Sequence, residues 1–234
     1  MKKIFAILMV VVLAFSVLAM VGCGESGAGD ELTKDEILAK VSGMYAASQP
    51  KMTVGKTTQE FGDTVLVSSY TLKVGYVDGS RAAVRESVEQ EMRTVTDSGD
   101  SKVVLSPVKE TTEKREYIEG VGLRVNGGSW RANGDSIIPE RGMIAINLDP
   151  ALIENVSFAD NVLSFTVSEY YAAAVLGVED ANYALSVVIA TDGAVIVGIQ
   201  IEYVIPADDA TYVDETKVTI IAEYNYDNQS ITIE

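Results

Sequence analysis

The chain has 234 residues, with 34 Asp+Glu against 18 Lys+Arg, no histidine, one cysteine and a formal net charge of −16 at pH 7. So negative a field repels nucleic acid and keeps a domain soluble, while the missing histidine removes the usual general base near neutral pH and the commonest transition-metal ligand. One cysteine allows no internal disulfide, so stability has to come from an apolar core, which a chain of this length can bury.

Lys2 and Lys3 open the chain, an uncharged apolar run follows from Ile4 to Val21, and small residues surround Cys23. Charged, then apolar, then small is the order of a secretory signal, although about 18 apolar residues also reach the lower limit for a membrane-spanning helix. Cys23 separates the two readings, because it stands directly behind Gly22 at the end of the run and ahead of the small polar stretch GESGAGDE. Met20, Val21, Gly22 and Cys23 resemble the lipobox of bacterial lipoproteins, with Met20 where leucine is usual. The resemblance implies that residues 1–22 are a signal peptide and that the Cys23 thiol carries a diacylglyceryl group as the new N-terminus. Each buried methylene of an acyl chain contributes about 0.8 kcal/mol of membrane affinity, so two or three chains anchor durably. Residues 23–31 are then a lipidated flexible tether and residues 32–234 a single domain. That domain is expected outside the cell, on the outer face of the cell membrane or at the outer membrane. Signal removal takes away Lys2 and Lys3 and no acid, so the mature chain is more acidic still.

The first element of the domain is a helix from about Thr33 to Ala47. Thr33 and Glu36 have the spacing of a capping box and Leu32 and Ile37 that of a hydrophobic staple, while Ile37, Leu38, Val41, Met44 and Tyr45 form one apolar stripe. The period then changes to two: Leu66, Tyr70, Leu72, Val74 and Tyr76 share a strand face, and Asp78-Gly79 marks a hairpin turn. Arg81 to Val95 fits either a strand or a helix. After a hairpin turn the strand is preferred, with its odd positions Arg81, Arg85, Ser87, Glu89, Glu91 and Arg93 as the solvated outer face. Short strands at Tyr117-Ile118 and Gly122–Val125 flank Glu119-Gly120, and Asn126-Gly127-Gly128 turns again before Trp130.

Further on, Leu163, Phe165 and Val167 alternate, and Ser168 is placed to cap a short helix from Glu169 to Leu176 that Gly177 closes. Tyr183, Leu185, Val187 and Ile189 lead through Thr191-Asp192-Gly193 into Val195, Val197, Ile199, Ile201, Tyr203 and Ile205, a long hairpin with one apolar face. The last strand puts Val218, Ile220, Ala222, Tyr224 and Tyr226 on one side.

Residues that could carry chemistry lack the arrangement it needs. Ser101-Lys102 are neighbours in a polar loop without an S-x-x-K spacing. Asp208-Asp209 and Asp214-Glu215 lack the alternating ligand order of a calcium loop and read as solvated turn residues. Gly120 and Gly122 complete no nucleotide-binding fingerprint. No catalytic residue, metal site or cofactor is therefore expected, and the chain is read as a non-enzyme.

An antiparallel sheet of about eight to eleven strands with one substantial helix has to curl to cover its apolar face. The fold class is α+β, mostly antiparallel β: a curved half-open barrel with the N-terminal amphipathic helix and a short second helix against the concave face. This order of elements, together with the stretch REYIEG and RVNGGSW between Arg115 and Trp130, resembles the LolA-like and LppX-like family of bacterial lipoprotein and lipid carriers. The resemblance implies an apolar cavity between sheet and helices that holds a lipid or another hydrophobic ligand. Candidate lining residues are Ile37, Val41, Met44, Tyr45, Leu66, Tyr70, Leu72, Val74, Tyr76, Phe165, Tyr183, Leu185, Val187, Val197, Ile199, Ile201 and Tyr203. The same side chains could simply fill a core. The competing reading is accordingly a non-catalytic envelope module with a filled interior that binds a protein partner.

Overall fold

The computed structural model describes residues 32–96, 103–132, 134–138, 142–207 and 214–233. Cys23 with its tether, the neighbours Ser101 and Lys102, and the pair Asp208-Asp209 lie outside the described residues.

Two meanders share one ten-stranded antiparallel sheet. The first runs outward through β1 (Met52–Phe61), β2 (Thr64–Val77), β3 (Ser80–Thr96), β4 (Val103–Ile118) and β5 (Gly122–Val125). The second begins at the opposite edge with β6 (Glu154–Ala159) and returns through β7 (Val162–Val167), β8 (Leu185–Thr191), β9 (Ile196–Ile205) and β10 (Thr216–Asn225). Pairing of β10 with β1 joins them, and β5 and β6 remain as the two edges. The sheet is thus curved but not closed into a barrel, and the described residues add two α-helices, α1 (Lys34–Ala47) and α2 (Ala172–Leu176).

Helix α1 starts where its capping residues dictate. The Glu36 amide donates to Thr33 Oγ1 at 3.3 Å and the Thr33 amide to Glu36 Oε2 at 2.8 Å, which satisfies two amides that lack a partner inside the helix. Leu32 of the expected staple stays 47% exposed. At the far end, buried Ser48 donates its hydroxyl to the Met44 carbonyl at 2.8 Å and accepts from the Ile196 amide at 2.9 Å, tying the helix to the first residue of β9. The stripe Leu38, Val41, Met44 and Tyr45 is buried against β7 to β10.

Helix α2 is shorter than expected. Ser168 does not cap it: its carbonyl accepts from the Tyr171 amide at 3.1 Å, so residues 168–171 form a turn, and Tyr171 stands at the N-cap without a side-chain bond. Gly177 closes the helix at φ 66° as expected.

The β2–β3 hairpin turns on Asp78 (φ 48°) and Gly79 (φ 85°), the two successive positive φ values of a type I′ turn. A two-residue turn dictates register, so Tyr76 opposes Arg81 and Leu72 opposes Arg85. Directly opposed residues project to the same face. The odd positions of β3 therefore share a face with Tyr70 and Leu72, and the expected outer face of this strand is its inner one.

The connector from β5 to β6 crosses this inner face as a strap. It pairs with β5 through Leu123 and Arg131, accepts from Thr53 Oγ1 at the Gly142 carbonyl (2.8 Å), and donates from the Ile144 amide to Tyr224 Oη (3.1 Å). Beyond that it buries Ile146, Leu148 and Ile153 in the core beneath α1, where Lys34 Nζ donates to the Ile153 carbonyl at 2.5 Å.

Replacing Ser48 by alanine leaves the buried Ile196 amide without its acceptor. Ser48→Ala is expected to cost about 1–3 kcal/mol, read by denaturant unfolding, with faster hydrogen exchange at Ile196; an unchanged midpoint would show that the helix end needs no such tie.

Candidate functional site

The inner face of the sheet changes character from one edge to the other. Register carries one row from Phe165 through Val187, Ile201 and Ile220 to Thr57, Ser68 and Glu89, and a second from Leu163 through Ile189, Ile199 and Ala222 to Gly55, Tyr70 and Ser87. Each row is apolar over β7 to β10; from β1 the first runs through Thr57, Ser68 and Glu89, and the second passes through Gly55 and Tyr70 before reaching Ser87. α1 and the strap cover the apolar half, and the space between α1 and the strands is filled: Leu38, Val41, Phe165 and Val187 are at most 2% exposed.

Candidate residues divide accordingly. Val41, Met44, Tyr45, Phe165, Leu185, Val187, Ile199 and Ile201 lie in the packed core, with Ile37 half-buried against it. Tyr183 and Tyr203 stack at the core's margin with centroids 4.1 Å apart, and burial, reinforced by Tyr183, pushes the Tyr203 hydroxyl up to about 12. Val197 stands outside this core, because a register shift in β9 pairs Ala190 with Gly198 but Thr191 with Ile196 and so gives the inner position to Ile196. Leu66 lines a small opening near Gln59 and Lys109, and Val74 and Tyr76 line a polar-rimmed depression with Gln49 and Gln229.

Tyr70 and Leu72 are brought together with residues that sequence reasoning did not single out. Between β2–β5 and the strap lies a cleft of about 540 Å³, a volume typical of small-molecule sites, which span about 300–1,000 Å³. Tyr70, Leu72 and Leu123 form its floor, Ile137, Met143 and Ile144 its roof, and Arg85 and Arg115 stand on the floor with Asp135 and Ser136 on the strap side. Two glycines allow the close approaches that border it. A methyl group at Gly55 would run into the Tyr70 ring, which lies across that bare backbone, and one at Gly122 (φ 121°) would strike the Arg131 carbonyl where the strap meets β5. The signal that could have revealed Arg85 is arithmetic: counting outward from the Asp78-Gly79 turn places it opposite Leu72.

Electrostatics on the other face hold β4 and β5 together. Glu116 is 1% exposed and pairs with Arg124 Nε at 2.5 Å and Lys114 Nζ at 3.0 Å, while Arg124 lies over the Trp130 ring at 5.0 Å. Burial opposes ionisation of Glu116, but the hydrogen bonds and charges of Arg124 and Lys114 outweigh it and hold the carboxyl below its usual range. Asn126 continues the hairpin by accepting from the Lys114 amide at its side chain (2.8 Å) and donating its own amide to the Lys114 carbonyl (2.8 Å). Among the described residues no group of His, Cys, Asp and Glu could hold a metal ion, and no helix is long and apolar enough to cross a membrane.

No family model and no curated protein matches the sequence. Among solved structures the chain is similar to the Mycobacterium tuberculosis lipoprotein LppX, at 12% identity over 86% of this chain and 100% of that chain, with a TM-score of 0.32. It is also similar to the Pseudomonas aeruginosa MucA/MucB complex, at 12% identity over 80% of this chain and 93% of that one, with a TM-score of 0.13. Scores this low carry no argument about function.

Because the folded pKa of Glu116 lies below the ordinary 4.5, its stabilisation is complete above pH 4.5 and is lost as pH falls through the folded value. Glu116→Gln is expected to cost about 3 kcal/mol at pH 7, with the gap to the unaltered protein narrowing below pH 4.5 in urea titrations; a gap independent of pH would contradict the ion-pair account.

Proposed function

We propose that this chain is an exported, lipid-anchored, non-catalytic module of the cell envelope that binds a hydrophobic or amphiphilic ligand. One observation carries the reading: a half-open cleft with an apolar roof and a floor of Tyr70, Leu72 and Leu123 beside two arginines persists in a domain whose main core is already filled elsewhere. A solid core needs no such cleft, and loss of packing along it is a cost that an apolar ligand recovers. The strap that roofs the cleft is pinned at Gly142 and Ile144, so the site is built before any ligand arrives and little ordering has to be offset on binding. The anchor at Cys23 rests on the sequence alone, as does the non-catalytic reading, for which the sequence offers the lack of histidine, the usual general base near neutral pH.

A second reading, a module that docks an envelope protein, has its own support in Tyr170 (84% exposed), Tyr171 and Val178, apolar surface left uncovered around α2. Docking through that patch leaves the cleft unused, which separates the two.

Native mass spectrometry of protein extracted gently from its own envelope tests the first reading. The expected result is a bound small amphiphile that disappears in Ile137→Arg, a change in the half-buried roof; a chain that is empty at every extraction condition sinks it. The same spectra report on Cys23, where a diacylglyceryl mass is expected and an unmodified thiol removes the anchor.

A further inference from the structure

The floor of the cleft carries an arrangement that packing alone does not explain. Arg85 and Arg115 are directly opposed across the β3–β4 ladder, a placement in which like charges repel. Arg115 is relieved by Glu113, whose Oε1 lies 2.6 Å from its Nε. Arg85 has no such relief: among the described residues no carboxylate pairs with it, and its Nε is buried without a hydrogen-bond partner. What holds it is the Tyr70 ring, 4.6 Å from the guanidinium carbon, and the ring in turn can lie there because Gly55 beneath it has no side chain.

A stacked guanidinium keeps its edge donors free while its face is occupied, and that planar fork matches carboxylate and phosphate oxygens. In a chain of net charge −16, free anions are repelled at long range, so an anion reaching Arg85 needs a second source of affinity. Leu72, Leu123, Ile137, Met143 and Ile144 supply it as apolar contact around the same cleft. Asp135 at the strap side adds a negative charge that disfavours a small, multiply charged anion.

We infer that Arg85 is a binding residue for the anionic head of an amphiphile, carboxylate or phosphate, whose hydrocarbon tail lies between the strap and β2–β5, with Arg115 as the second donor. The inference rests on the proposed ligand-binding role and specifies its ligand class. A neutral head gains less from Arg85 than an anionic one, because only the anion makes a charge-assisted hydrogen bond.

The test is calorimetric titration of the full membrane-tethered protein in nanodiscs, with empty nanodiscs as the blank and octyl phosphate, octanol and inorganic phosphate as probes. Octyl phosphate is expected to bind at least about tenfold more tightly than octanol, the worth of one charge-assisted hydrogen bond. That preference, read as the ratio of the two affinities within each protein, should vanish in Arg85→Gln and survive in part in Arg85→Lys. Equal binding of octanol and octyl phosphate by the unaltered protein overturns the head-group assignment and leaves the hydrophobic-ligand reading standing. Failure of both to bind brings down that reading as well. Inorganic phosphate binding as tightly as octyl phosphate overturns the amphiphile in favour of a small anion. The first comparison needs no variant, so it decides even if Arg85→Gln fails to fold.

Discussion

Burial of the apolar half of one sheet face organises this molecule. The rows through Phe165, Val187 and Ile201 and through Leu163, Ile189 and Ile199 present a surface that water cannot cover cheaply. α1 and the strap both settle on it, the helix through Leu38 and Val41 and the strap through Ile146 and Ile153. Once those two elements are committed there, the near end of the strap lies above the other half of the same face, over β2 to β5. The cleft is what that division leaves.

The strap links the two halves physically. It leaves β5 at one edge, is held over the middle of the sheet by Thr53 and Tyr224, and enters β6 at the other edge. Both holding residues sit at the β1–β10 seam, where the first and last strands pair. The roof of the cleft therefore depends on the contact that also makes the two meanders one sheet. Arginines at the two faces of β3 to β5 are treated in opposite ways. On one face Arg124 is matched by a buried carboxylate and an indole ring; on the other, Arg85 is matched, among the described residues, by a phenol ring and by no carboxylate.

Much of this was legible in the residues. The Thr33–Glu36 capping box, the period-two strands from Leu66 to Tyr76, Leu185 to Ile189 and Ile199 to Tyr203, the Asp78-Gly79 turn and the Gly177 closure all appear in the structure at the expected places. The site was harder. β3 carries arginines and glutamates at its odd positions, which by polarity alone belong outside; only the register of the hairpin shows that they face inward beside Leu72. Val197 failed for a similar reason, since one irregular pairing in β9 hands the inner position to Ile196. Ser168 offered a cap that the backbone used as a turn.

What the sequence determined by itself is local: a capped amphipathic helix, alternating strands and tight turns. These follow from hydrogen bonds and side-chain directions among residues a few positions apart. Tertiary structure alone decided which half of the sheet the helix covers and where the strap runs. Those choices rest on contacts between residues as distant as Thr53 and Gly142, or Ile144 and Tyr224. They follow from burying one shared apolar surface, a quantity that no single segment of the chain carries.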